Sequence, residues 1–313
     1  MTMKVLRVSE DCLTFIAQSP VQTGEVHSTF ERAVNLLFSS GVLMTMVSDQ
    51  LDLAPMTFQV SKGSLKSKGW HPGMPVSSSS EGIIIGETLL EFAQAQTWTP
   101  TWNIGSPPSE VLTRAEMLKR LEAFTKLLLT RGRPEGLLPY LCETRVLPHP
   151  GSCPSDMTGN RYVDFIKGRL DQFSEAYRDG TDAGESRVIA AFTRLVGFGP
   201  GLTPSSDDYV AGFMAASIRT PYGQAMNCEK LLKRNQKLAS RAKGKTTVIS
   251  EAMLAHAALG HVAQKYDRLL DLLCFEAEGD LEAAMLKALE HGDTSGTDFM
   301  TGAAAALMLS LNA

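Results

Sequence analysis

The sequence lacks the marks of several large protein classes. Its five cysteines are scattered, with no CxxC pair and no Cys/His pair at metal-site spacing, so we expect reduced thiols rather than a disulfide or zinc framework. Residues 1–7 have no signal-peptide apolar core, and the most apolar run, residues 300–311, is too short to span a bilayer and predicts a buried helix. The net charge of −4 gives no reason to expect nucleic acid or a membrane surface as partner. We therefore expect a cytoplasmic protein.

The common catalytic fingerprints are also missing. We find no Ser-His-Asp signature, nucleophile elbow, dinucleotide fingerprint or Walker A spacing. What remains is a chain of 313 residues that is 43% hydrophobic, which is enough apolar material for the cores of two domains. Its function therefore has to be inferred from less common patterns.

The first hundred residues are patterned mainly as β-structure. Residues 56–61 alternate, residues 42–47 form a run that is apolar except for Thr45, and residues 83–85 are β-branched between glycines, so each predicts a strand. Residues 5–8 and 13–17 are weaker strand candidates.

Two segments of this first part are expected to differ from the strands around them. Residues 29–38 predict one helix, with Ser28 as N-cap and Glu31 as its capping-box partner. Residues 77–80 are all serine and predict a polar turn or a mobile loop.

The composition shifts at residues 103–109, which form a stiff Gly/Pro linker before a helix capped by Ser109. Residues 139–159 predict a long surface loop, or else an ordered lid. The later chain predicts helices at residues 110–130, 162–177, 185–196, 206–219, 230–242, 251–274, 281–291 and 298–311. The predicted fold class is α+β, with a β-rich domain at residues 1–107 and a helical domain at residues 108–313.

The most informative stretch is residues 197–212, GFGPGLTPSSDDYVAG. Its glycines allow positive φ or close backbone approach, and its prolines restrict the rest. A helix follows, whose N-terminal N–H groups favour an anion such as a phosphate or carboxylate. Thr203, Ser205 and Ser206 are each candidates for its N-cap, and the sequence leaves this choice open.

Two aspartates, Asp207 and Asp208, stand in the first turn of this helix. One completes a cap, but the second is surplus, and together they would repel an anion. The site therefore needs a cation, either a metal or a lysine from the basic segment at residues 241–251, where Lys243 and Lys245 are candidates. The same segment ends in Thr246 and Thr247, before a helix whose expected cap is Ser250.

A second segment repeats the first. Residues 295–302 match residues 205–212 as S-x-x-D-[FY]-x-x-G, with Asp298 in the place of Asp208. A glycine one turn inside a helix costs roughly 1 kcal/mol relative to alanine, and close helix–helix approach usually offsets that cost. We expect two similar helix N-termini that converge, the alternative being chance similarity between two capping boxes.

The long glycine motif resembles the signature G-x-G-P-G-L-T-P-S-G-D-D-x-x-x-G of the AllH-like family, with Ser206 where the family often has glycine. Residues 246–250, 292–298 and 28–36 resemble further blocks of that family. The resemblance implies a subunit of oxamate carbamoyltransferase, from allantoin catabolism in purine degradation. It also implies the reaction of carbamoyl phosphate and oxamate to oxalurate and phosphate, and two other subunit types as partners.

We assign candidate residues from the residue pattern. The candidate catalytic residues are Thr203, Asp207 and Asp208, and the candidate substrate-binding residues are Gly199, Gly201, Ser205, Ser206, Lys245, Thr247, Ser295 and Asp298. No cofactor is expected unless Asp207 and Asp208 hold Mg²⁺. Two alternatives stay open, a Mg²⁺-dependent phosphotransferase-like enzyme and a non-catalytic scaffold subunit, as does homo-oligomerisation.

Overall fold

The computed structural model describes residues 1–18, 21–61, 63, 65–102, 111–143, 161–179, 181–220, 228–276, 278–290 and 292–311. These residues form two compact units, Met1–Thr101 with Val262–Gln264, and Trp102–His261 with Lys265–Ala313. The first is built mainly of strands and the second of helices, so the predicted α+β class is confirmed.

The first unit is a nine-stranded sheet that closes on itself. Its strands lie in the order β5-β4-β3-β2-β6-β7-β8-β1-β9, and closure comes from an antiparallel pairing of β5 with β1. The elements are β1 Thr2–Ser9, α1 Glu10–Gln18, β2 Thr23–Thr29, β3 Ala33–Phe38, β4 Leu43–Ser48, β5 Thr57–Val60, β6 Pro75–Ser79, β7 Gly82–Ile85, β8 Thr88–Glu91 and β9 Gln96–Trp98. Aromatic pairs such as Phe15–Phe38, with ring centroids 4.9 Å apart, fill its core.

The strands expected at residues 5–8, 42–47, 56–61 and 83–85 are confirmed as β1, β4, β5 and β7. The helix expected at residues 29–38 is wrong, because β2 ends at Thr29 and the chain turns back into β3. Pairing of β3 with both β2 and β4 buries Val34 and Leu36 and overrides the local capping pattern.

Two further expectations for this unit fail. Residues 13–17 lie in helix α1, since a short apolar run fits a helix as well as a strand. Residues 77–79 belong to β6, because they pair with β7 and Ser78 is buried, and of the four serines only Ser80 lies in the expected turn.

The second unit contains ten described helices. They are α2 Arg114–Arg131, α3 Pro139–Glu143, α4 Arg161–Arg178, α5 Asp182–Leu195, α6 Ser205–Arg219, α7 Cys228–Ala242, α8 Val248–Ala257, α9 Gln264–Cys274, α10 Leu281–Leu289 and α11 Ser295–Leu311. The single helix expected at residues 251–274 is two helices, because the chain turns at Gly260 with φ +82°.

Smaller details of the helical unit also depart from expectation. Helix α2 is capped by Thr113, which shares a capping box with Glu116, rather than by Ser109. Residues 139–143 of the expected loop are helical, while the linker at residues 103–109 and residues 144–159 lie outside the described residues.

Helices α6 and α11 form the centre of this unit. Every residue of α6 is buried, and α11 is buried along nearly its whole length, so the helix expected for residues 300–311 is confirmed. A helix that is buried on all sides needs small residues where a neighbour approaches closely. Helix α6 has three alanines and one glycine, and α11 has four alanines and two glycines. Within the described ranges, no helix is both long enough and apolar enough to cross a membrane.

The cysteines follow expectation only in part. Cys12, Cys228 and Cys274 are free thiols, whereas Cys142 is disulfide-bonded. The expectation of reduced thiols is therefore wrong for Cys142, because spacing along a sequence does not show which thiols the fold brings together.

Candidate functional site

The glycine loop between α5 and α6 uses its three glycines as special backbone positions. Gly197, Gly199 and Gly201 have φ values of +81°, +128° and +94°. At Gly197 a Cβ would collide with the carbonyl oxygen of Lys245, and at Gly199 it would lie 2.6 Å from the Ser205 nitrogen. Gly201 faces open space, and its position in the exposed crest at residues 200–202 leaves it accessible.

The polar side chains after the loop fold back onto it. The N-cap position of α6 is Pro204, which offers no side-chain cap, so none of the three sequence candidates caps this helix. Ser206 Oγ instead accepts from the Phe198 N–H at 2.9 Å and donates to the Leu195 carbonyl at 2.7 Å. Asp207 Oδ1 accepts from the Gly197 N–H at 2.7 Å. These bonds fix the base of the loop.

The basic segment expected near the site does reach the loop, but through its threonines. Thr246 donates a hydrogen bond to Asp207 Oδ2, and Thr247 donates one to the Leu202 carbonyl. Thr247 also caps α8 by accepting from the Ser250 N–H at 3.1 Å, so Ser250 is not the cap. The lysines of this segment, at positions 243 and 245, are exposed.

The two related helix starts lie together, as the repeated motif predicted. Thr203 Oγ1 lies 3.0 Å from Ser295 Oγ. A Cβ at Gly212 would overlap the carbonyl oxygen of Phe299, and a Cβ at Gly302 would overlap that of Tyr209. The contacts are reciprocal, because Gly212 and Gly302, and likewise Tyr209 and Phe299, hold equivalent positions in the two motifs. The glycines inside these helices therefore serve close backbone approach.

The start of α11 is covered by the chain that follows α2. Thr297 Oγ1 accepts from the Arg133 N–H at 3.1 Å, and Asp298 Oδ1 accepts from the Leu137 N–H at 2.6 Å. Gly136 lies against the Asp298 carboxylate so closely that no side chain would fit there. Sequence reasoning missed this segment, and the only sequence signal for it is a glycine in the short connection after α2.

Burial dominates the electrostatics of the three aspartates. Burial raises the pKa of Asp298 to about 6, against the lowering effect of the Leu137 N–H and nearby hydroxyls. Burial, and then the charge of Asp298, raise the pKa of Asp208 well above its usual range, while Ser295 and Thr203 oppose the rise. Burial also raises the pKa of Asp207, and its N–H and hydroxyl donors oppose the shift.

The carboxylates differ in what their oxygens contact. Both oxygens of Asp207 accept hydrogen bonds, Oδ1 from the Gly197 N–H and Oδ2 from the Thr246 hydroxyl. Within the described part of the chain, Asp208 Oδ2 and Asp298 Oδ2 are buried without a hydrogen-bond partner. The site therefore offers two inward-facing acceptors.

Two tyrosines that the sequence analysis did not single out complete the surroundings. The Tyr266 ring stacks on Phe299 at 3.9 Å, and burial followed by the charges of Asp208 and Asp298 raises its hydroxyl pKa well above the usual range. The Tyr162 ring packs against Phe198 in the loop, with centroids 4.7 Å apart, and burial raises its pKa as well. No motif marks either residue.

Comparison with known protein families matches both units. The model described as oxamate carbamoyltransferase subunit AllH matches residues 195–307, which include the glycine loop, the basic segment and both helix starts. The model described as the AllH family N-terminal domain matches residues 4–97, which span the closed sheet. No solved structure matches the chain.

Proposed function

Because the chain belongs to the AllH family, described as an oxamate carbamoyltransferase subunit, we propose that it supplies the glycine-loop site for carbamoyl transfer between carbamoyl phosphate and oxamate. The family description implies a multi-subunit complex. We propose two other subunit types as its partners and a small anionic substrate as its ligand.

The chemistry sets three requirements. The oxamate nitrogen forms a bond to the carbamoyl carbon, and the bond from that carbon to the phosphate oxygen breaks with its electron pair leaving on phosphate. The proton that the nitrogen loses ends on the departing phosphate, so atoms and charge balance. No covalent enzyme intermediate is needed. The site has to hold the phosphate, polarise the carbonyl and orient the two reactants.

The exposed crest of the glycine loop suits the phosphate. Gly199 and Gly201 present backbone at positive φ, and the crest stands directly before the N-terminus of α6, where anions are favoured. The Lys245 carbonyl lies against Gly197, so the exposed Lys245 side chain starts close to the loop and can add positive charge. Thr203 adds a hydroxyl at the inner edge of the crest.

Other candidate residues act by positioning. Asp207 and Ser206 hold the base of the loop, and Thr247 ties its crest to the start of α8. Their side chains are occupied by these bonds, so we assign them to the shape of the site rather than to contact with substrate. The hydroxyls of Ser205 and Ser295 remain close to the carboxylates of Asp298 and Asp208.

The observation that carries the proposal is the contact of Thr203 with Ser295. It joins the glycine loop to the second helix start inside the segment that the family model matches. A scaffold role alone would need the glycines of α6 and α11 but not the exposed, positive-φ crest at Gly201.

Calorimetric titration with carbamoyl phosphate, on the chain alone and with its partner subunits, tests the proposal. We expect Lys245→Ala to weaken binding about tenfold, since a charge-assisted contact contributes roughly 1.5–3 kcal/mol. Lys243→Ala is the matched control, because Lys243 is also exposed but of the two only Lys245 has its backbone against Gly197 among the described contacts of that glycine, so loss of Lys243 should leave the affinity unchanged. Absence of carbamoyl phosphate binding both alone and in the complex would rule the proposal out.

A further inference from the structure

Among its described residues, the helical unit holds two buried carboxylate oxygens that form no hydrogen bond, although hydroxyl groups lie near both carboxylates. Asp208 is 3% exposed and Asp298 is 0% exposed, and Oδ2 of each lacks a hydrogen-bond partner within the described residues. An unsatisfied buried acceptor costs about 1–3 kcal/mol, and more when it is charged, so a native protein rarely retains two in one place without a use.

The form of this pair indicates what it can bind. A carboxyl group keeps an oxygen that accepts hydrogen bonds in either protonation state, so the pair attracts N–H or O–H donors, and when ionised it repels a phosphate or a further carboxylate. A primary amide nitrogen carries two N–H groups, one for each free acceptor. In carbamoyl phosphate and in oxalurate that group is the carbamoyl NH₂, which stays intact through the transfer.

We propose that Asp208 Oδ2 and Asp298 Oδ2 receive the carbamoyl NH₂ group and so select carbamoyl compounds over their methyl analogues. This inference rests on the proposed function and assigns the specificity of the same site. It divides the site into two zones, an outer glycine crest for the phosphate and an inner acceptor pair for the amide nitrogen.

The acceptor pair lies beside two side chains that are not fully buried. Thr203 and Ser295 are only half-buried, their hydroxyls contact each other, and both lie beside Asp208. These half-buried hydroxyls place the acceptor pair next to the part of the loop that reaches solvent. The raised pKa values of Asp208 and Asp298 show that burial disfavours their charged forms in the empty site, and N–H donors from a ligand would offset that cost.

The decisive experiment compares carbamoyl phosphate with acetyl phosphate, in which a methyl group replaces NH₂. Both are titrated calorimetrically into the wild-type chain, alone and in the complex. We expect carbamoyl phosphate to bind at least about 100-fold more tightly, because a site built to bond N–H groups rejects an analogue that lacks them. Equal affinities would overturn the inference and leave the proposed function standing, whereas no binding of either ligand would overturn both.

Variants of the two aspartates test whether they cause the difference in affinity between carbamoyl phosphate and acetyl phosphate. Asp208→Asn and Asp298→Asn each replace one acceptor oxygen by an amide donor, and we expect each to bring the affinity ratio of the two ligands close to one. Asp293→Asn is the control, since it removes the same charge near the start of α11 from a side chain that is 89% exposed, and the ratio should stay at its wild-type value. Retention of the wild-type ratio in both buried variants would overturn the assignment. Should a variant fail to fold, the wild-type ligand pair still decides the matter.

Discussion

The two ends of helix α6 handle buried charge in opposite ways. At its C-terminal end, Arg219 is fully buried and its guanidinium bonds Asp271 at 3.0 Å, the Gly260 carbonyl at 2.9 Å, and the Asp267 carboxylate. At its N-terminal end, the groups that shift the pKa values of Asp208 and Asp298 are other carboxylates, hydroxyls and one backbone N–H.

The difference between the two ends indicates which buried acids serve the fold and which serve a ligand. A buried acid that serves only the fold is normally paired, because an unpaired charge in the interior is strongly unfavourable. At the C-terminal end of α6 the buried acids are paired in this way, since Arg219 joins α6 to two aspartates of α9. The aspartates at the other end break this rule, and they do so beside the glycine loop, which supports a ligand as the missing partner.

The largest expected effect comes from breaking the paired end. Arg219→Met removes the buried guanidinium that the carboxylates of Asp267 and Asp271 share, so we expect the free energy of unfolding to fall by about 3–5 kcal/mol. Urea denaturation near neutral pH measures this. Adding Asp267→Asn and Asp271→Asn to the variant should recover much of the lost stability, because the two buried negative charges are then removed.

Urea denaturation of a variant at the N-terminal end of α6 tests whether the two ends differ. Asp208→Asn removes a carboxylate that burial already disfavours, so the unfolding free energy should stay level or rise near neutral pH. A loss as large as that of Arg219→Met would show that the two ends do not differ in the way we describe.

The next effect is a dependence on pH. The pKa of Asp298 is raised from 3.8 to about 6 in the folded protein, so the folded state binds this proton more tightly than the unfolded state. The stability gained from this protonation is present in full below the pKa of the unfolded chain and is lost as the pH rises through about 6. The loss is roughly 3 kcal/mol between about pH 4 and pH 8. The raised pKa of Asp208 extends the loss to higher pH.

Asp298→Asn should flatten this profile, because the amide does not titrate and still offers an oxygen to the Leu137 N–H. Denaturation midpoints across the pH range measure the effect, with Asp293→Asn as an exposed control that keeps the wild-type slope. A slope in Asp298→Asn equal to that of the wild type would contradict the assignment of the titration to this carboxylate.

The contrast also shows what the sequence could and could not predict. The glycine loop and the repeated S-x-x-D motif were visible because they are local patterns, and they correctly indicated that two helix starts meet. The Leu137 N–H on Asp298 was not predictable, because it joins residues 161 positions apart without any shared motif. The pairing of Arg219 with Asp267 and Asp271 was missed for the same reason.

In the fold, too, the elements that depend on local pattern were predictable and those that depend on distant partners were not. Helices in the second unit follow from local apolar periodicity, whereas β3 depends on partners on both of its sides. A capping-box pattern at Ser28 and Glu31 therefore misled the prediction for residues 29–38. The N-cap of α6 was missed because Ser206 and Asp207 bond to the loop, which local propensity cannot anticipate.

The smallest expected loss of stability tests the packing that holds both helix starts together. A Cβ at Gly212 would overlap the Phe299 carbonyl oxygen, so Gly212→Ala has to push α6 and α11 apart. Overpacking of this kind costs about 1–3 kcal/mol, and we expect a loss near 2 kcal/mol in urea denaturation. Because the shift separates Thr203 from Ser295, carbamoyl phosphate affinity should fall together with stability.

Gly168→Ala is the matched control within the same unit. Gly168 lies inside α4, is exposed, and has nothing within 4 Å of an added Cβ, so alanine should stabilise the protein by about 0.5–1 kcal/mol through helix propensity alone. Opposite signs at the two positions would show that Gly212 is required for backbone approach. A stabilising Gly212→Ala would mean that α6 and α11 tolerate separation, and the acceptor pair at their N-termini would then not depend on this contact.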